Sequence, residues 1–224
     1  GARGKSAHAE KGAALVERDQ DRPGIARVRS VSVVADFGKV WLRTSLHGFS
    51  QCRPDNRLSV KVHKEREPPD LDALDVGIGH RRVEQSGFRS SRLPADWVIA
   101  ACTPDFMQSH GVKGVADLGK VSLLRFASRS WDEYFHVAGI DMEVPKHGAM
   151  LSDAASLLNA ALAGQGVAML RERLVRNFLE RGELARVGEV RIPSNRDYYI
   201  CWEEGSPQDV AIQQFSNWLH EGIR

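Results

Sequence analysis

The chain has 224 residues, 42% hydrophobic and 27% charged, so it is long enough to bury roughly 70% of its unfolded surface without disulfide or metal staples. Its 31 Lys+Arg against 29 Asp+Glu give a formal net charge of +2, too near neutral for the one-signed basic surface of a nucleic-acid binder. The three cysteines, Cys52, Cys102 and Cys201, are odd in number and lack CxxC spacing, which argues against a disulfide framework or zinc site and for a cytoplasmic protein. No apolar run approaches the ~18 residues of a membrane span, and "GAALV" is shorter than a signal-peptide core.

Residues Gly1 to Gly24 are small, charged and Gly-rich, and read as a linker or cloning remnant. Val28 to Ala35 is β-branched and predicts a first strand, bounded by Asp36. Leu42, Leu46 and Phe49 recur at helical spacing up to Pro54. Arg57 to Val62 and Leu74 to His80 predict the next two strands, and a strand–helix–strand order with a long connection implies parallel pairing. "GFRSSRL" and "DWVIAAC" follow as strands, then a short helix that Thr103 caps and Pro104 opens. Val121 to Phe126 predicts a strand and "WDEYFHVAG" a helix.

Ser152 is a good N-cap for the helix carrying Leu157, Leu158, Ala161 and Leu162, with Asp153 at its positive end. "GQG" at 164–166 follows that helix and precedes the strand "VAML". A phosphate loop has the reverse order, with glycines ahead of a helix N-terminus whose free amides hold the anion, so these glycines end a helix. Leu174, Val175, Phe178 and Leu179 mark a further helix to Gly182, Arg196 to Trp202 a strand, and Ser206-Pro207 the start of a last helix that turns Ala211, Phe215, Trp218 and Leu219 inward.

Eight histidines are scattered without HxxxH or HxH pairs, and no carboxylates accompany them at metal-ligand spacing, so neither a metal nor a cofactor is expected. There is no GxSxG elbow and no identifiable acid, base or nucleophile, which argues against an enzyme. Strand-to-helix junctions do converge: Asp36 and Phe37 after the first strand, His80 and Arg81 after the third, Ser128 and Arg129 after "LLRFA", and Ser152 and Asp153. Junctions at a sheet's carboxyl edge hold free amides and short polar side chains, the usual place for a small-ligand cleft. Singly, Ser152 and Asp153 also read as caps, and Arg125 and Arg129 as solvated charges.

Four stretches in this order resemble the effector-binding domain of LysR-type transcriptional regulators, most like the glycine-cleavage-activator and beta-lactamase-regulator branch. They are "WLRTSLHGFSQCRPDNRLSV", "LDVGIGH", "SDAASLLNAALAGQGVAML" and "FSNWLHEGIR", and the match runs from about Val28 to Gly222. The resemblance implies a periplasmic-binding-protein-like (type 2) α/β fold: two α/β subdomains joined by two crossover strands around a ligand cleft. It places residues 25–101 plus 204–224 in the first subdomain and 102–203 in the second. Effector contacts would come from Asp36, Phe37, His80, Arg81, Ser128, Arg129, Ser152, Asp153 and Tyr199. The implied function is small-molecule sensing by a homo-oligomer, dimer or tetramer, that reaches promoter DNA only through a winged helix-turn-helix not found in this chain. The alternative on the same fold is an extracytoplasmic solute-binding protein. Two residues depart from the family pattern. Asp36 stands where a small or hydroxyl residue is usual, able to cap the helix and repel an acidic effector, and His80 replaces a permanently charged arginine.

Overall fold

The structure, a computed structural model, describes residues 28–52, 58–144, 146 and 149–223. The N-terminal linker, Pro54 and Arg57 lie outside the described residues.

The apolar stretch after Val28 forms β1 (Ser30–Val34). The chain then turns through a widened helical segment, Phe37–Leu42, into α1 (Arg43–Cys52). Strands β2 (Ser59–His63) and β3 (Val76–Gly79) both pair parallel with β1, as the spacing predicts. Strand β4 (Phe88–Arg92) completes this side until the chain returns at its end. Strand β5 (Trp97–Cys102) leads into α2 (Pro104–Ser109), where the Thr103 hydroxyl accepts from the Phe106 amide at 3.2 Å, the expected cap.

A 3₁₀ turn (Val115–Lys120) precedes β6 (Arg125–Phe126), and α3 (Trp131–Ala138) follows. Next come β7 (Met150–Leu151), α4 (Ala154–Leu162), β8 (Ala168–Arg171), α5 (Arg176–Glu180), β9 (Ala185–Pro193), β10 (Tyr199–Glu203) and α6 (Asp209–Ile223). Among the described residues no helix is long and apolar enough to cross a membrane.

Two larger sheets result, one in the order β2-β1-β3-β10-β4 and one in the order β8-β5-β9, with β6 and β7 as a short parallel pair. These are the two α/β subdomains of a periplasmic-binding-protein-like fold. Two strands sit in the other sheet from the one expected. Trp97–Cys102 pairs with β8 and β9, and Tyr199–Glu203 pairs with β3 and β4. The chain therefore crosses between sheets at 93–96 and 194–198, not at 101/102 and 203/204. Both strands are apolar runs, and nothing local in such a run says which distant partner it will find.

Strand β5 explains its own unbroken apolarity. Val98, Ala100 and Cys102 face one core with Trp131, Tyr134 and Phe135, while Ile99 and Ala101 face the other with Leu157, Leu158 and Leu170. A strand covered on both faces has no polar alternation to show. Burial also pushes the Cys102 and Cys201 thiols up, to about 11 and about 12.

The expected strand over Val121 to Phe126 is only partly formed. Leu123 bridges to Val167, and the chain then bends so that Arg125–Phe126 pairs with β7 instead. Strand β9, not predicted, lies at the sheet's edge; Gly188 at φ 74° and a register shift opposite Ile99/Ala101 break its period of two.

The "GQG" stretch has a double use. The amide of Gly164 donates to the Ala161 carbonyl at 3.0 Å and that of Gln165 to Ala160 at 3.1 Å, with Gly164 at φ 70°. This is the paired closure of a helix C-terminus that needs a left-handed residue. Gly166 is small for another reason: a β-carbon there would stand 2.6 Å from the Ser122 backbone oxygen. At the helix's other end the cap is Asp153 rather than Ser152, its Oδ1 accepting from the Ser156 amide at 2.9 Å. The helix begins one residue later than expected, and the carboxylate reaches its third amide.

Candidate functional site

The three parallel strands end at Val34, His63 and Gly79, so the residues just beyond each, Asp36, Glu65 and His80, gather at one carboxyl edge. There a cleft opens between the subdomains. The first sheet's edge and the start of the helical segment supply Asp36, Val40, Glu65 and His80. The facing wall is Ala154, Leu157 and Leu158 of α4 and Met169, Leu170 and Arg171 of β8, with Leu174 and Val175. Val98, Phe126, Ser128, Arg129, Asn195 and Arg196 close the sides. About 70 Å³ of this space is open to water centres, several times the roughly 10–15 Å³ that one water requires.

The floor is a buried polar network. Asp36 Oδ1 accepts from the Phe37 amide at 2.8 Å, and Oδ2 accepts from the Tyr198 hydroxyl at 2.5 Å. His80 Nε2 stands 3.2 Å from the same Oδ2, off the hydrogen-bonding direction, while its Nδ1 lies 3.0 Å from the Asp197 carbonyl. The His80 ring stacks on Tyr198 with centroids 4.7 Å apart. Burial alone would raise the Asp36 pKa, but His80, the Arg171 charge and the Tyr198 hydroxyl outweigh it and hold the group below its ordinary value. Burial first, and then the Asp36 charge, push the Tyr198 phenol well above its usual value. It therefore remains a donor, and Asp36 a carboxylate.

Beside this network Glu65 Oε2 accepts from Arg196 at 2.7 Å. Arg129 makes a two-pronged pair with Glu133, at 2.7 and 2.9 Å, and donates to the Pro193 carbonyl. Arg171 lies over the Tyr198 ring at 4.7 Å and donates from Nη1 to the Arg196 carbonyl at 2.9 Å.

Of the residues expected at the site, Asp36, His80, Ser128 and Arg129 line the cleft. Phe37 is buried beneath it against Trp41 and Tyr198. Ser152 and Arg81 are exposed and do not line the cavity, and Asp153 is engaged in its cap. Tyr199 does not line it either; its neighbour Tyr198 is buried and donates its hydroxyl to the cleft-lining Asp36. Strand β10 is buried on both faces, at Ile200 and Trp202 and equally at Cys201, so no alternation of apolar residues separates Tyr198 from Tyr199 in the sequence.

Glu65, Arg171, Asn195 and Arg196 were not expected. Glu65 follows the end of β2 and shares the strand-end position of Asp36 and His80, a signal that could have found it, whereas Arg171, Asn195 and Arg196 carry no local mark and reach the cleft through long-range packing.

Asp36, Glu65 and His80 bring one potential metal-ligating atom each to within 4.8 Å of one another, a grouping that no sequence spacing reveals. Their chemistry opposes a cation. Asp36 is held by His80 and Tyr198, Glu65 is paired with Arg196, and the Arg171 charge adjoins Asp36.

Comparison with known proteins supplies the family. The profile of the LysR substrate binding domain matches residues 24–224. The chain is 28% identical over 193 residues to the glycine cleavage system transcriptional activator of Escherichia coli K12, a match covering 85% of this chain and 63% of that protein. It is 25% identical over 202 residues to the HTH-type transcriptional regulator DsdC of the same organism, covering 84% and 63%. The chain thus spans less than two thirds of these relatives. The AmpR effector-binding domain from Citrobacter freundii superimposes with a TM-score of 0.67 at 24% identity, covering 88% of this chain and 98% of that one. The relatives named are transcriptional regulators, which favours a regulator over a transporter's solute receptor. The chain belongs to the LysR substrate-binding domain family and is the effector-binding domain of a LysR-type regulator.

Proposed function

We propose that this domain senses a small-molecule effector in the cleft between its sheets, and that cleft closure changes how a homo-oligomer presents DNA-binding domains to a promoter in the cytoplasm. The observation that carries the reading is the cavity itself, lined from both subdomains and floored by a buried, paired polar network. Of the residues expected from sequence, Asp36, His80, Ser128 and Arg129 form the effector site, joined by Arg171 and Arg196. The domain is read as a sensor rather than an enzyme, because the relatives named are transcriptional regulators. DNA contact belongs to the part of the regulator that its relatives have and this chain does not span.

An effector moves the equilibrium only by its differential affinity for the open and closed arrangements. The test is a thermal-shift screen of small carboxylates, amino acids and sugars. An effector at 100 times its dissociation constant adds about 2.7 kcal/mol to stability. Leu158→Trp, which fills the cavity, is expected to abolish every such shift, and shifts that survive it would sink the cleft as the site. Sedimentation showing only monomer at all concentrations would remove the homo-oligomer.

A further inference from the structure

The charges lining the cleft do not cancel evenly. Of its three arginines, Arg129 is paired with Glu133 and Arg196 with Glu65, each through contacts of 2.7 Å. Arg171 has no carboxylate at ion-pair distance among the described residues. Its described contacts are one backbone carbonyl and the face of Tyr198. The start of the helical segment across the cleft, where free amides would otherwise welcome an anion, is occupied by the Asp36 carboxylate on the Phe37 amide. The cleft's anion-receptive point is therefore on β8, in the second subdomain.

We infer that the effector is a small aliphatic monocarboxylate whose carboxylate docks on the Arg171 guanidinium. This rests on the cleft being the effector site. A guanidinium offers a planar fork of donors that matches a carboxylate. A phosphate monoester, with close to two negative charges, would set one available guanidinium against the carboxylates of Asp36 and Glu65 on the facing wall. The body of the ligand meets Val40, Leu157, Leu158, Met169, Leu174 and Val175, which is aliphatic surface.

The experiment is calorimetric or NMR titration of the whole chain with pentanoate and with pentanamide, which match in shape and differ in charge. Pentanoate is expected to bind about tenfold or more tightly than pentanamide, in keeping with a hydrogen bond to a charged group. Arg171→Met is expected to abolish the preference for pentanoate over pentanamide, and a circular dichroism spectrum unchanged from that of the parent chain shows the variant to be folded. Arg171→Lys, keeping the charge and losing the fork, is expected to fall between. Equal affinity of the two probes, a preference that survives Arg171→Met, or no binding by either probe up to about 50 mM overturns the inference. Leu158→Trp separates the two levels. If it removes both probes while the preference survives Arg171→Met, only the role of Arg171 falls; if both probes still bind, the cleft reading falls with it.

Discussion

The two walls of the cleft are built on opposite plans. On the first subdomain's wall each charged group has a partner: Asp36 has His80, Tyr198 and the Phe37 amide, and Glu65 has Arg196. On the second, α4 and β8 present aliphatic side chains and Arg171, which has no carboxylate at ion-pair distance among the described residues. The first wall is fixed before any ligand arrives. On the second wall, Arg171 holds the Arg196 carbonyl and the Tyr198 face, and a ligand touching both walls supplies the energy for closure.

The sharpest way to break this comparison is to remove one group from each wall. Asp36→Ala leaves the buried Tyr198 hydroxyl without its acceptor and removes the carboxylate beside His80, and is expected to lower stability in urea by about 3–5 kcal/mol, the usual cost of breaking a buried pair on one side. Arg171→Met loses one hydrogen bond to a carbonyl and is expected to cost only about 1 kcal/mol. Equal costs would mean that Arg171 is a structural residue like Asp36.

The second wall depends on how closely α4 turns into β8. Gly166→Ala would drive a methyl group into the Ser122 backbone oxygen, which cannot rotate away, and is expected to cost about 1–3 kcal/mol in the same measurement.

Two buried aspartates sharpen the contrast through pH. The folded pKa of Asp36 lies below 3.8, so its contribution is complete above the unfolded value and is lost as pH falls through the folded one. Asp96, in the first crossing segment, is shifted the other way. Burial raises it, only partly offset by the Arg173 and Trp97 amides, and its Oδ2 has no hydrogen-bond partner. Stability from Asp96 is present below pH 3.8 and lost as pH rises through its folded value. Asp96→Asn is therefore expected to raise the urea midpoint at pH 7 and to have less effect at pH 3, while Asp36→Asn lowers it at pH 7 with a shrinking effect toward acid. Matching signs for the two variants would contradict the assignment. A comparably small effect is expected at the α4 cap, where Asp153→Ala should cost about 1 kcal/mol by thermal melting.

Much of this was legible in the chain. Periodicity alone located most of the secondary structure, because a half-buried helix or strand must repeat its apolar residues at the spacing of its own geometry. The order of "GQG" after a helix and before a strand ruled out a phosphate loop, and the fit of Gly166 against Ser122 supplies the steric reason for its second glycine. Asp36 and His80 were legible as site residues because strand ends in a parallel sheet point to one edge. Tyr198 was not legible, because its strand is buried on both faces and shows no alternation that separates it from Tyr199. Strand β9 was hidden by Gly188 and the bulge that interrupts its alternation.

The sequence by itself determined the local elements, the parallel β1–β2–β3 unit and the edge at which a ligand would sit, since each follows from residues close together in the chain. Only the tertiary structure decided which sheet took β5 and β10, that Glu65, Arg171 and Arg196 join the cleft, and which of its arginines is left for a ligand. Pairing between charges more than a hundred residues apart, as between Arg196 and Glu65, depends on where the crossing segments carry the chain. No local pattern encodes that.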